Sequence, residues 1–121
     1  MNDSDFIKCM SAGGIDCKTA LGCFCGSEAF YLKFLKAMRT YVPIDDLLAS
    51  CKAKDPEAAF QAIHSLKSTT GNLGLVKLYD LACRMTECFR SKDNEAGFAL
   101  KDAFVEEYDR ILELVDKASQ S

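Results

Sequence analysis

With 121 residues, the chain is long enough for one compact core and leaves little room for a second. Hydrophobic residues make up 49% and charged residues 27%, a globular balance, and a net charge of −3 without a basic stripe argues against a nucleic-acid partner. The apolar stretches fall well short of the roughly 20 consecutive residues a spanning helix needs. The acidic start, Met1-Asn2-Asp3-Ser4-Asp5, lacks the cationic and apolar regions of a secretory signal. A cytoplasmic protein with no membrane partner is therefore expected.

In chain order, residues 1–15 contain Gly13-Gly14 and few periodic apolar positions, and read as a lead-in segment laid over the domain that follows, residues 16–121. Asp16 is a candidate N-cap for a short helix through Ala20 and Leu21 that closes near Gly26. Ser27, with Glu28 after it, starts a second helix. Phe30, Tyr31, Phe34, Leu35, Met38 and Tyr41 recur along it at three- and four-residue steps. Pro43 predicts a kink or break, after which Ile44, Leu47, Leu48 and Cys51 resume the stripe.

Asp55-Pro56 is a strong helix start, a capping carboxylate before proline at the first helical position. That helix should run through His64 to about Asn72, with Gly74 helping to end it. Leu75, Leu78, Ala82, Met85 and Phe89 define one face of the next helix. Asn94 or a neighbour should cap the last, with Phe104, Tyr108, Ile111 and Val115 inward. No run of alternating β-branched residues argues for a strand. The short links between the last three helices make them antiparallel neighbours. The predicted fold is all-α, an antiparallel up-and-down four-helix bundle with a short extra N-terminal helix.

The seven cysteines are Cys9, Cys17, Cys23, Cys25, Cys51, Cys83 and Cys88, an odd set that cannot pair off completely. Cys23-Phe24-Cys25 and the Cys83/Cys88 pair could suggest zinc or a redox protein. A chain with one histidine and no paired Cys-x-x-Cys spacing fits zinc poorly, so no metal site is expected. Buried or half-buried thiols acting as small apolar residues account for the cysteines better.

A lone histidine is usually a surface or satisfied core residue, but the setting of His64 is unusual. On a helix advancing about 100° per residue, Ala59, Ala62, Ile63, Leu66 and Leu73 gather on one side and His64 falls opposite, facing solvent. Glu57, Phe60, Gln61, Lys67, Ser68 and Gly71 share its side. Lys67, one turn on, can reach a group attached to the imidazole. Ser68 and Gly71 keep the surface low, and a mid-helix glycine costs on the order of 1 kcal/mol relative to alanine. Phe60 sets an aromatic ring on a polar face, where a docking partner could cover it. Taken singly, Lys67 reads as solvated charge, Gly71 as close helix packing and Phe60 as a bundle-edge residue. Together they describe a site.

No orienting acid or oxyanion nest for hydrolysis is evident, and no phosphate-cradling loop or paired metal carboxylates for nucleotide-driven transfer. An imidazole, with a reference pKa of about 6.5, offers a neutral nitrogen nucleophile near pH 7. It could attack an acyl phosphate supplied by another protein. Lys67 would then offset charge on the phosphoryl oxygens, and the partner would supply the metal.

Residues His64-Ser65-Leu66-Lys67-Ser68-Thr69-Thr70-Gly71-Asn72-Leu73-Gly74 resemble the signature of histidine phosphotransfer (HPt) domains, a His-x-x-Lys-Gly start with further glycines downstream. Gly14-Ile15-Asp16, Ala20-Leu21, Phe24, and Gly26 leading to Tyr31-Leu32 look like the opening segment of bacterial members. The resemblance implies a phosphorelay protein with His64 as phosphoacceptor, Lys67 steadying the phosphoryl group, and Gln61 and Ser68 on the docking surface. Ser68 departs from the family's usual glycine.

On this resemblance the chain is a stoichiometric carrier, not an enzyme, with no ATP site and no cofactor of its own. Mg would sit on the partner receiver. Its partners would be response-regulator receiver domains and a hybrid histidine kinase. A monomer is expected, and Met1 and the compact length favour a free protein over a fragment of a hybrid kinase. The alternative is a module of the same fold that regulates a receiver or kinase by docking alone.

Overall fold

A computed structural model describes residues 1–120; Ser121, the expected last residue of the bundle domain, lies outside the described residues. Among those residues the regular structure is all helical, with no strand. Helix α1 spans Asp3–Ala12, α2 Cys17–Cys23, α3 Glu28–Lys36, α4 Met38–Tyr41 and α5 Asp45–Lys52. Helix α6 spans Pro56–Asn72, α7 Val76–Arg90, α8 Asn94–Ala99 and α9 Lys101–Ser119.

Local chemistry sets several of these boundaries. The Asp16, Ser27 and Asp55 side chains accept hydrogen bonds from the Thr19, Phe30 and Ala58 amides at 3.2, 3.2 and 3.1 Å, each satisfying a first-turn donor that lacks an intrahelical partner. Pro56 follows Asp55 at the start of α6, where a missing N–H costs nothing. Gly26 and Gly74 both adopt a φ of +73°, the left-handed conformation that lets a helix stop. Pro43 falls in the gap between α4 and α5, as expected.

The bundle has four arms: the broken run α3–α5, then α6, α7 and α9. Helix α6 packs between α5 and α7, α7 also lies on α9, and α3 reaches α9. Their facing sides bury Tyr31, Leu35, Ile63, Met85, Phe104 and Ile111 almost completely. At about 25 cal/mol per Å², full burial of each such side chain stabilises by about 1.5–3 kcal/mol.

Two buried phenols pin the arms together. The Tyr31 hydroxyl donates to the Leu73 carbonyl at 2.8 Å, tying α3 to the end of α6, and burial pushes its pKa up. The Tyr108 hydroxyl donates to the Val42 carbonyl at 2.7 Å, tying α9 to the break after α4.

Three features depart from the sequence expectation. The lead-in segment contains α1, where the Asn2 side chain accepts from the Asp5 amide at 2.8 Å and Phe6 and Met10, one turn apart, are buried against α3 and α9. The predicted last helix is two helices meeting at Leu100. Gly97 lies where α8 packs on α7: a Cβ there would stand 2.7 Å from the Phe89 ring, so any larger residue would force that ring to move. A further break at Ala37 separates α3 from α4.

The cysteines depart in part. Cys17 and Cys51 are buried and Cys9, Cys83 and Cys88 half-buried, but Cys23 and Cys25 are exposed. Phe24 takes the inward position between them, so both neighbours turn to solvent. Among the described residues, no three His, Cys, Asp or Glu side chains converge as a metal site would require, and no helix is long and apolar enough to cross a membrane.

Candidate functional site

Helix α6 turns Ala59, Ile63, Leu66 and Thr70 into the bundle. Thr70 is the unexpected member, a hydroxyl in the core. It donates to the Leu66 carbonyl at 2.8 Å, which removes the cost of burying it. With that stripe inward, His64 lies on the opposite side and is exposed, as are Gln61, Ser68 and Gly71, while Phe60 and Lys67 are half-buried.

His64, Lys67, Ser68 and Gly71 line one open hollow of about 620 Å³, whose far wall is built by Asp16, Thr19, Gly74, Val76 and Tyr79. Two contacts form it. The Asp16 amide donates to the Gly74 carbonyl at 2.9 Å, bringing the start of α2 against the α6–α7 turn. A side chain at Gly74 would collide with the Asp16 carbonyl group, so glycine permits this approach as well as the turn.

Gly71 is the second contact point. A Cβ on it would sit 3.1 Å from Tyr79 Cε1 and 3.2 Å from Cδ1, so the Tyr79 ring of α7 closes over the gap that the glycine leaves. The low surface beside His64 is thus partly roofed, by a ring still 41% exposed. A hydrogen bond with the Cys83 thiol, one turn along α7, raises the Tyr79 phenol above its ordinary range.

Lys67 has no carboxylate partner among the described residues, so its ammonium is free to meet an incoming anion. The one carboxylate lining the hollow, Asp16, is engaged elsewhere. Its hydrogen bonds to the side chain and backbone of Thr19 hold its pKa below the ordinary value.

Phe60 and Gln61 lie outside this hollow. Gln61 fills the surface between α6 and α5, alongside Ala62, Ser65 and Thr69. Phe60 stacks on His64, with ring centroids 5.7 Å apart and planes 5° from parallel. On α7, the Arg90 guanidinium carbon lies 5.8 Å from the Phe60 centroid and Arg90 pairs with Glu87.

Val76 and Tyr79 were not singled out by sequence, although both are large apolar residues exposed beside His64, at 53% and 41%. The available signal was their position on α7, three apart and off the inward stripe of Leu75, Leu78, Ala82 and Met85. Which part of α6 they face depends on helix–helix register, which a single sequence does not encode.

A family model described as Hpt domain matches residues 30–119. The match takes in α6, α7 and the whole His64–Gly74 motif, while the opening segment at residues 14–26 lies before it. Comparison with curated proteins and with solved structures returns no match.

Proposed function

We propose, from the premise that the chain belongs to the Hpt domain family, that it is a relay intermediate whose His64 takes a phosphoryl group from a receiver's aspartyl phosphate and passes it to another receiver's aspartate. The observation that supports this most is the His64 imidazole, exposed in mid-helix one turn from an unpaired lysine.

The chemistry follows from that arrangement. An unprotonated imidazole nitrogen attacks phosphorus, a P–N bond forms, and the P–O bond to the donor aspartate breaks with its electrons staying on the carboxylate. The ring proton leaves to solvent. Onward transfer reverses these events at a second aspartate. Lys67 offsets charge on the equatorial oxygens, where a preorganised cation is worth more than in bulk water. Ser68 keeps the approach low, Gly71 makes room for the Tyr79 ring at its edge, and Gln61 extends the contact surface towards α5.

The chain is a stoichiometric carrier in this scheme. Energy enters as acyl phosphate, and the cation that activates the aspartyl phosphate belongs to the receiver.

The test uses a receiver labelled on its aspartate with radioactive phosphate. Wild-type chain should take up label within the assay and His64→Gln should take up none. Label persisting on His64→Gln would overturn the assignment. A His64→Ala chain that keeps full signalling activity in cells would favour a docking module instead.

A further inference from the structure

We infer that Phe60 is a positioning residue, which orients the phosphoacceptor imidazole by stacking on it. This rests on the relay assignment of His64 and adds a role for a side chain whose ring is already occupied within the chain.

Histidines that act as nucleophiles or bases are commonly oriented by a hydrogen bond to the second ring nitrogen, from a carboxylate or a carbonyl. His64 has no such partner. Among the described residues its imidazole makes no hydrogen bond and no ion pair, and its contact with Phe60 is what constrains the ring. The two rings are one helical turn apart on α6, 5° from parallel and 5.7 Å between centroids, an offset-stacked geometry.

Phe60 is itself held. Its ring packs on the core edge, and the Arg90 guanidinium, which also pairs with Glu87, sits over it at 5.8 Å. The Phe60 ring is thus approached by Arg90 from α7 and by His64 from its own helix. An imidazole stacked on Phe60 has its plane restrained about χ2 while its exposed edge faces solvent. Transfer needs an in-line approach of nitrogen to phosphorus, and a ring held in that plane has less rotational freedom to lose on reacting.

The substitution that isolates this effect is Phe60→Leu, which keeps apolar bulk at the core edge and removes the stack. Phe60→Tyr, which keeps the aromatic face, is the conservative partner. His64 is the chain's one histidine, so its carbon-bound ring protons can be followed by NMR without ambiguity. In wild type and Phe60→Tyr these protons should be displaced from random-coil positions by the neighbouring ring current. In Phe60→Leu they should return to random-coil positions.

Phosphorylation is then measured with two donors. Phosphoramidate has no docking surface: the imidazole displaces ammonia, the donor P–N bond breaks as the new one forms, and the ring proton leaves with the ammonia as ammonium. A phosphorylated receiver supplies the protein donor. With both, Phe60→Leu should lower the maximal labelling rate by about two- to tenfold with donor half-saturation unchanged, and Phe60→Tyr should recover the wild-type rate.

Ring-proton shifts identical in wild type and Phe60→Leu would overturn the inference. So would an unchanged phosphoramidate rate combined with a raised half-saturation for the receiver, since that pattern marks a docking residue. Wild-type chain that reacts with phosphoramidate but with no receiver would sink the relay assignment, while the NMR comparison would still decide the stack.

Discussion

Gly71→Ala sets helix propensity against the hollow's roof. Gly71 lies in the last turn of α6 without a positive φ, so alanine fits the backbone and gains about 1 kcal/mol of helix propensity. Against this, the new Cβ would stand 3.1 Å from Tyr79 Cε1, and the ring must yield by a few tenths of an ångström. Overpacking within a core costs about 1–3 kcal/mol. Tyr79 is 41% exposed and can swing outward, which places its cost below that range. The net expectation is stability between unchanged and about 1 kcal/mol higher, read as a urea midpoint that holds or rises at constant m. Receiver-dependent labelling should slow, because the displaced ring stands in the partner's path. A loss of more than about 1 kcal/mol would refute this account by showing that Tyr79 is clamped in place.

Three further outcomes are expected. Lys67→Ala should fold normally, with an unchanged urea midpoint, yet label about ten- to a hundredfold more slowly in a rapid-quench assay. Tyr31→Phe leaves the buried Leu73 carbonyl without its 2.8 Å donor and should cost about 1–3 kcal/mol in urea unfolding, with faster amide exchange around the α6–α7 turn. Asp16 has a folded pKa below its ordinary value through its bonds to Thr19, so its contribution is present above the carboxylate range and lost as pH falls through the folded pKa. Amide exchange in α2 should therefore be faster in Asp16→Ala than in wild type at pH 7, and the difference should shrink at acidic pH.

Features governed by near neighbours along the chain were readable from sequence. The Asp16, Ser27 and Asp55 caps act within three residues, so composition reveals them. The exposure of His64 followed from helical periodicity, because Ala59, Ile63 and Leu66 leave no other orientation. Thr70 was hidden because its hydroxyl is satisfied by a carbonyl of its own helix, allowing a polar residue at an inward position. The close approach of α8 to α7 at Gly97 depends on where the Phe89 ring falls, and the roof over Gly71 depends on where Tyr79 falls along α7. Both are matters of tertiary register. Phe60 shows the boundary between the two kinds of information. Its four-residue spacing from His64 was visible, but the near-parallel rings and the guanidinium beside Phe60 depend on how α6 and α7 pack.

The most direct test is the chemical nature of the bond formed when the purified chain meets a phosphorylated receiver. A single histidine means that any phosphohistidine must be at residue 64. The account predicts an intact-mass increase of at most one phosphoryl group per chain, with a modification labile in acid, stable in alkali, and carried by the proteolytic peptide containing His64. An alkali-labile acyl phosphate, or an acid-stable ester on serine or threonine, would contradict it.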